Sequence, residues 1–132
     1  GLHQAAGSKN VLELHGSIHR NYCMECGRFY DAAYVKNAEG IPHCECGGMI
    51  KPDVVLYEEG LDMTVMSKSI QAIRDADVLI IGGTSLIVYP AAGLIDYYRG
   101  NKLAVINMSV TSQDKNADLV IQEPIGKVFS NL

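Results

Sequence analysis

The chain has 132 residues, enough for one ordinary hydrophobic core but too few for two large domains. Apolar residues make up 48% and charged residues 20%, which is typical of a soluble globular protein, and no apolar run approaches the ~20 residues that cross a bilayer. The net charge of −4 argues against a nucleic-acid partner, because binding to a phosphate backbone requires a basic surface.

The first predicted strand covers residues 10–14, where side chains alternate enough to favour a strand that ends at His15. An imidazole has an ordinary pKa near ~6.5, so a histidine at the end of a strand can accept a proton at neutral pH. His15 is therefore a candidate general base. The alternative, that His15 merely terminates the strand, stays open on the residues alone.

Residues 20–51 form an apparently irregular, glycine-bearing segment that contains all four cysteines of the chain, in two close pairs. Two thiolate pairs on tight turns can bind one Zn²⁺ tetrahedrally, and such a closed shell serves structure because it leaves no position for water. Two disulfides or four buried thiols are the alternatives. Disulfides need an oxidising compartment, whereas the sequence shows no apolar leader, so we expect a cytoplasmic protein with a structural zinc site. The predicted ligands are Cys23, Cys26, Cys44 and Cys46.

After residue 52 the sequence alternates predicted strands and helices. Asp62 is a candidate N-cap for a helix over residues 63–75. Further helices are predicted between Pro90 and Gly100 and after Pro124, and strands are predicted at 53–57, 77–81, 102–107 and 117–121. This order favours an α/β layer with a mainly parallel sheet.

In such sheets ligands bind at the carboxyl ends of the strands. One predicted strand ends in Gly82-Gly83-Thr84-Ser85, another in Asn107-Met108-Ser109, and the first in His15-Gly16-Ser17. Glycines permit close approach of the backbone, while hydroxyl and amide groups can bind phosphate or ribose. Each turn alone is commonplace. Their expected coincidence on one edge of the sheet predicts a dinucleotide site.

Several of these stretches occur in the order and spacing found in one family. They are Glu13-Leu14-His15-Gly16-Ser17, the two cysteine pairs, residues 51–57 (KPDVVLY), residues 83–91 (GTSLIVYPA) and Ile106-Asn107. The chain thus resembles a bacterial sirtuin, an NAD-dependent protein deacylase, over essentially its whole length. The resemblance implies a Rossmann-like, mainly parallel sheet with an inserted zinc-ribbon module. We expect residues 1–19 and 52–132 to form a partial NAD-binding domain and residues 20–51 to form the zinc module.

Two departures from the sirtuin pattern stand out. Sirtuins carry, upstream of the matching stretches, a first βα unit with a Gly-Ala-Gly turn for the phosphates, and this sequence does not contain it. We therefore expect the chain to be the C-terminal part of such an enzyme, and we do not assume that it is active alone. In addition, one residue separates Cys44 from Cys46, where many relatives have two.

The resemblance also implies roles for single residues. Sirtuins transfer an acyl group from lysine to the ribose of NAD, which releases nicotinamide and 2′-O-acyl-ADP-ribose, and His15 matches their general base. The positions that match contacts to NAD are Gly83, Thr84, Ser85, Asn107 and Ile125. The segment that matches the binding strand for an acyl-lysine peptide is Val54, Val55 and Leu56.

Two other functions remain open at this point. Some sirtuin relatives use the same cofactor chemistry for protein ADP-ribosyl transfer. The chain could also be a zinc-stabilised binding module without catalysis, because half of the expected cofactor site is missing from it.

Overall fold

The computed structural model of the protein describes residues 1–130, and the chain divides into two compact units. The first unit covers Gly1–Val65, and the second begins at Met66. Within the described residues, no helix has the length and apolar character that crossing a membrane requires.

The first unit contains a three-stranded antiparallel sheet and two short helices. In chain order the elements are α1 (Leu2–Ala5), β1 (Gly16–Cys23), β2 (Phe29–Asp31), α2 (Ala32–Asn37) and β3 (Ile50–Val54). Strand β1 lies in the middle, with β2 and β3 antiparallel to it on either side. The β1–β3 register shifts between Ser17 and Asn21, and Pro52 is tolerated because β3 lies at the edge of this sheet.

The predicted strand over residues 10–14 is wrong. Residues 10–13 are irregular, Leu14 and His15 form a turn, and β1 begins at Gly16. His15 therefore precedes a strand instead of ending one. The chain changes direction at Gly16, whose φ of +76° is readily accessible only to glycine.

Two further expectations for this unit need correction. The segment over residues 20–51 is not simply irregular, since it contains the end of β1, all of β2 and the helix α2. The strand predicted at 53–57 begins earlier, at Ile50, and joins the antiparallel sheet instead of a parallel one. Its residue pattern is consistent with either a parallel or an antiparallel neighbour, because alternation does not specify the direction of the neighbouring strand.

The second half of the chain follows the predicted order closely. Its elements are α3 (Met63–Arg74), β4 (Val78–Gly82), a 3₁₀ helix (Ala91–Tyr97), β5 (Lys102–Ile106), a 3₁₀ turn (Asp114–Asn116), β6 (Leu119–Ile121) and α4 (Ile125–Phe129). Strands β4, β5 and β6 pair in that order as a parallel sheet. The mixed α/β class with a parallel sheet is thereby confirmed. One difference is that the helix after Pro90 is a 3₁₀ helix.

Local sequence signals explain why these elements form. Asp62 caps α3, as predicted, because its Oδ1 accepts the backbone N–H groups of Thr64 at 2.7 Å and Val65 at 3.1 Å. In the parallel sheet, alternate residues of neighbouring strands point to one face and form a core. The buried members of this core are Ile81, Leu103 and Val105.

We predict that alanine at Gly16 will disrupt the junction of β1 and β3. A Cβ atom there would lie 1.8 Å from the carbonyl oxygen of Asp53, so the strands would have to separate. Gly40 is a matched control, since its φ is also +76° but no atom lies within 4 Å of its Cβ position. We expect Gly40→Ala to lower the free energy of unfolding by about 1 kcal/mol and Gly16→Ala by about 3 kcal/mol or more. Equal effects in urea unfolding would contradict the close approach.

Candidate metal centre and candidate cofactor edge

The sulfur atoms of all four cysteines converge on one point of the first unit. They lie within 4.8 Å of one another, and two of the separations, Cys23 to Cys46 and Cys26 to Cys44, are 3.5 Å. None of these cysteines is in a disulfide. Four sulfurs bound tetrahedrally to one zinc ion at about 2.3 Å would lie about 3.8 Å apart. The donor set therefore fits a single tetrahedral ion.

Backbone hydrogen bonds form the two turns that present these sulfurs. The carbonyl of Cys23 accepts the N–H of Gly27 at 3.0 Å, and the carbonyl of Cys44 accepts the N–H of Gly47 at 2.8 Å. A Cβ on Gly48 would lie 2.7 Å from the sulfur of Cys23, so only glycine leaves room there. The short spacing of Cys44 and Cys46 still delivers both sulfurs to the cluster.

The crowding of four thiols has opposite effects on individual pKa values. The backbone N–H of Cys46 and then the hydroxyl of Tyr30 lower the pKa of Cys44 to about 6. The N–H of Gly48 acts to lower the pKa of Cys46, but the neighbouring sulfurs, Cys23 first, raise it to about 12. Ionisation of some of the four thiols therefore makes ionisation of the others less favourable. A cation at the centre would remove this conflict, which is a second indication that the cluster suits a metal ion.

Two groups next to the sulfurs were missed by sequence reasoning. The guanidinium of Arg28 forms an ion pair with Glu45, which connects the two cysteine turns. The hydroxyl of Tyr30 donates a hydrogen bond to the sulfur of Cys44 at 3.0 Å. The sequence offered one weak signal for the ion pair, since Arg28 and Glu45 are oppositely charged and each lies close to a cysteine. It offered none that would single out Tyr30.

His15 is exposed and is held by its backbone. Its carbonyl oxygen accepts the N–H of Val55 at 3.1 Å, and the constrained Gly16 follows it. This hydrogen bond joins the turn that carries His15 to the segment that directly follows β3. The imidazole is therefore presented on the surface of the first unit by a fixed main chain.

A cluster of charged side chains connects the residues before His15 to the end of β3. The guanidinium of Arg20 donates to Glu13 at 2.6 Å and to Asp53 at 2.8 Å, and Gln4 donates to Glu13 at 2.9 Å. The hydrogen bond from Arg20 lowers the pKa of Glu13 below its usual value, and both carboxylates raise the pKa of Arg20, Glu13 more strongly. Arg20 thus links the residues before His15 to the end of β3. Sequence analysis did not identify this cluster.

The predicted peptide-binding segment lies at the end of β3. Val54 and Val55 are half-buried, whereas Leu56 is 56% exposed. The amino group of Lys51 donates to the carbonyl of Val54 at 2.9 Å, and the N–H of Leu56 donates to the carboxylate of Glu59 at 2.9 Å. The segment is therefore an accessible edge whose backbone is partly hydrogen-bonded within the chain.

In the second unit, two of the predicted strand-end turns come together. Gly82 at the end of β4 is in register with Ile106 at the end of β5, and the N–H of Gly83 donates to the carbonyl of Ile106 at 3.1 Å. Thr84 and Ser85 follow the first strand, and Asn107 follows the second. The Oγ1 of Thr84 accepts the N–H of Leu86 at 3.2 Å. The third expected contributor, His15, lies in the first unit and does not end a strand.

Ile125 reaches the same edge from the start of α4. A Cβ atom on Gly82 would lie 2.4 Å from the Cδ1 of Ile125, so this side chain packs directly against the glycine. The side-chain amide of Asn107 donates to the carbonyl of Ser109 at 2.8 Å. The cofactor edge, as we call Gly83, Thr84, Ser85, Asn107 and Ile125, therefore combines backbone, hydroxyl, amide and apolar surfaces at the carboxyl ends of parallel strands. This combination suits a nucleotide. Their individual roles remain predictions.

Comparison with known proteins identifies the family. The model of the Sir2 family matches residues 1–90. Two relatives are both named NAD-dependent protein deacetylase. The protein from Clostridium acetobutylicum is 63% identical to this chain, and the protein from Clostridium perfringens is 60% identical. In each case the match covers 100% of this chain and 55% of the relative, so the chain spans about half the length of these proteins.

Solved structures give the same result. A Sir2 crystal structure in complex with the inhibitor EX-527, 2′-O-acetyl-ADP-ribose and a deacetylated p53 peptide superimposes with a TM-score of 0.89 at 34% identity. That match covers 98% of this chain and 58% of the other. A Sir2 structure bound to acetylated peptide gives a TM-score of 0.86 at 32% identity, over 98% of this chain and 57% of the other. The chain thus shares its mixed α/β fold with these structures and carries a four-cysteine cluster. The chain belongs to the Sir2 family.

We predict that Arg20→Gln will lower the free energy of unfolding by about 1 kcal/mol at pH 7, because the partly exposed side chain makes only solvent-screened ion pairs with Glu13 and Asp53. Since the folded pKa of Glu13 lies below its usual 4.5, this contribution is complete above pH 4.5 and is lost as the pH falls through the lowered value. Urea unfolding of both proteins at several pH values would measure the difference.

Glu13→Gln provides the control for this ion pair. If Arg20 acts through Glu13, the Glu13→Gln change should cost less in the Arg20→Gln background than in the original protein. A difference that does not change with pH would contradict the ion-pair mechanism and would indicate packing of the arginine stem instead.

Proposed function

We propose that this chain supplies the zinc module and the C-terminal part of the NAD-binding domain of an NAD-dependent protein lysine deacetylase. The observation that carries the proposal is the cofactor edge, where adjacent parallel strands end in nucleotide-compatible groups within a chain 63% identical to a deacetylase. The proposed domains are residues 1–19 with 52–132 for NAD, and residues 20–51 for zinc.

The residues at the cofactor edge would bind the ribose and phosphates of NAD. Gly83 has a φ of +64° and no atom within 4 Å of its Cβ position, so a ligand could approach this backbone closely. The hydroxyls of Thr84 and Ser85 are suited to phosphate or ribose oxygens, and the amide of Asn107 could exchange its bond to Ser109 for a ribose hydroxyl. Ile125 would offer an apolar surface to the adenine ring.

His15 would act as the general base. With NAD as the co-substrate, the reaction would convert NAD, acyl-lysine and water into nicotinamide, 2′-O-acyl-ADP-ribose and free lysine. In this reaction the exposed imidazole of His15 would take a proton from a ribose hydroxyl. The bond from Val55 to the His15 carbonyl would hold the turn while the ring exchanges the proton.

The substrate would be a peptide that carries an acyl-lysine. The edge formed by Val54, Val55 and Leu56 could receive such a peptide as an added strand, in which main-chain bonds give affinity without requiring one sequence. Related Sir2 structures have been solved with an acetylated peptide and with a propionylated peptide. This supports an acyl range wider than acetyl.

The four cysteines would hold a structural zinc ion. Zinc prefers four thiolates in a closed tetrahedral shell, which supplies folding energy and leaves no position for a reacting group. The metal centre would therefore brace the first unit without taking part in the transfer of the acyl group.

The function is tested with NAD and an acetyl-lysine peptide. We would compare the chain alone with a protein completed to the length of its relatives by the remaining part of the Clostridium acetobutylicum deacetylase. The completed protein should release nicotinamide and deacetylated peptide in equal amounts. His15→Gln in that protein should lower kcat by about 100-fold or more, the usual contribution of a general base.

His19→Gln is the matched control, because His19 is also exposed, lies nearby in β1, and has no role that we assign. It should leave kcat nearly unchanged. Near-normal turnover by the His15→Gln variant would refute the assigned base. Transfer of labelled ADP-ribose to protein without deacetylated peptide would support the ADP-ribosyltransferase alternative, and no nicotinamide release by the completed protein would favour a binding module.

The metal assignment predicts that Cys44→Ser will reduce bound zinc from about one ion per chain to nearly none. The same change should lower the melting temperature of the first unit, because metal binding contributes folding energy there. Elemental analysis and thermal melts would measure both. Glu25→Gln alters a residue in the turn of Cys23 and Cys26 but retains all four thiols, so it should keep the metal. Unchanged zinc content in the Cys44→Ser variant would contradict the assignment.

A further inference from the structure

The sulfur of Cys44 accepts a hydrogen bond that differs in kind from those of Cys23. The donors to the Cys23 sulfur are the backbone N–H groups of Glu25 and Cys26, at 3.4 and 3.5 Å. The sulfur of Cys44 has the backbone N–H of Cys46 as a donor too, but it also accepts a side-chain hydroxyl, that of Tyr30, at 3.0 Å. A phenol hydroxyl is a stronger donor than an amide, and a substitution can remove it without changing the backbone.

The geometry of this hydrogen bond suits a thiolate as the acceptor. A thiolate can only accept, and the hydroxyl of Tyr30 can supply the proton between the two groups. Hydrogen bonds to a charged acceptor are shorter and stronger than those to a neutral one. The contact can therefore orient the Cys44 sulfur as a thiolate ligand of a metal ion.

Neighbouring residues fix the ring of Tyr30 in position. Its main-chain carbonyl accepts the side-chain amide of Asn21 at 3.3 Å within the β1–β2 pair. Its ring contacts the ring of Tyr34, with centroids 4.5 Å apart. Tyr34 lies in the first turn of α2, where Asp31 accepts its N–H at 2.8 Å as the N-cap. These contacts thus orient the phenol of Tyr30 toward the sulfur of Cys44.

Tyr34 forms a hydrogen bond to the main chain next to Cys44. Its hydroxyl donates to the carbonyl of His43 at 3.0 Å, and His43 directly precedes Cys44. The two tyrosines therefore act on Cys44 in different ways, since Tyr30 bonds to the sulfur and Tyr34 bonds to the adjacent main chain. This difference provides a matched pair of variants.

We propose that Tyr30 is a positioning residue of the metal centre, whose hydroxyl orients the Cys44 thiolate and slows release of the metal ion. This inference rests on the proposed zinc site, but it adds a residue outside the four ligands. Partners of this kind, which hydrogen-bond to a ligand, typically contribute about 10- to 100-fold to metal affinity. The other three sulfurs would keep their present environments.

The test compares Tyr30→Phe with Tyr34→Phe in the full chain. Each change removes one hydroxyl and keeps the aromatic ring, so circular dichroism of the metal-loaded proteins should show the same fold. We expect Tyr30→Phe to transfer zinc to a chelator about 10-fold faster than the original protein. Tyr34→Phe should remain within about 3-fold of the original, because it leaves the bond to sulfur in place.

A spectroscopic measurement separates the hydrogen bond from general loosening. With Co²⁺ in place of zinc, the sulfur-to-cobalt charge-transfer band reports the electron density on the thiolates. It should shift in Tyr30→Phe and stay unchanged in Tyr34→Phe. Equal release rates and equal spectra for the two variants would overturn the proposal. If the original chain binds neither zinc nor cobalt, the proposed metal centre itself fails, and the inference fails with it.

Discussion

The convergence of four sulfurs is the constraint on which the first unit depends. The buried apolar cluster of this unit consists of Cys23, Cys44 and Ile50, with Tyr30 and Val35 partly buried against it. Two of the three buried members are thus cysteines, and a cluster of this size buries too little apolar surface to offset the conformational entropy of ordering the chain around it. The turns, β2 and α2 are therefore best understood as arranged around the sulfurs. A metal ion would supply the stabilisation that the apolar contacts cannot provide.

The second half of the chain relies on a different source of stability. Parallel strands β4, β5 and β6 bury Ile81, Leu103 and Val105 on one face, in the ordinary manner of an α/β layer. The same parallel pairing forces the carboxyl ends of the strands to one edge. The cofactor edge is thus a geometric consequence of the fold, and the residues there are under no requirement to fill a core.

Features that depend on neighbouring residues in sequence were the most predictable. The cysteine spacing indicated the metal cluster, Asp62 indicated the start of α3, and compact β-branched runs indicated β4 and β5. For α3, β4 and β5 the signal and the structure that it specifies lie within a few residues. The metal cluster joins cysteines 18 and 23 positions apart, but each of its two cysteine pairs is a local signal. The resemblance to sirtuins then added the expected roles of His15 and the strand-end residues, which local patterns could not supply.

Features that depend on contacts between distant residues could not be predicted. The direction of β3 is set by its pairing with β1 across the cysteine segment, and alternation alone does not encode it. Arg20 and Asp53 are 33 positions apart, and Tyr30 and Cys44 are 14 apart. Long-range partners of this kind become visible only when the fold brings them together. The error at residues 10–14 has a similar origin, because an alternating segment needs a partner strand before it can form one.

The junction of β1 and β3 connects the proposed general base, His15, to the proposed peptide-binding edge at the end of β3. One main-chain bond joins the carbonyl of His15 to the N–H of Val55, and the close approach of Gly16 to Asp53 leaves no room for a side chain at that point. Arg20 bridges the same two segments through Glu13 and Asp53. A displacement of β3 would therefore move the proposed base and the proposed peptide edge together. This coupling explains why a glycine with positive φ and an ion-pair cluster occur beside an exposed histidine, where a surface turn by itself would require neither.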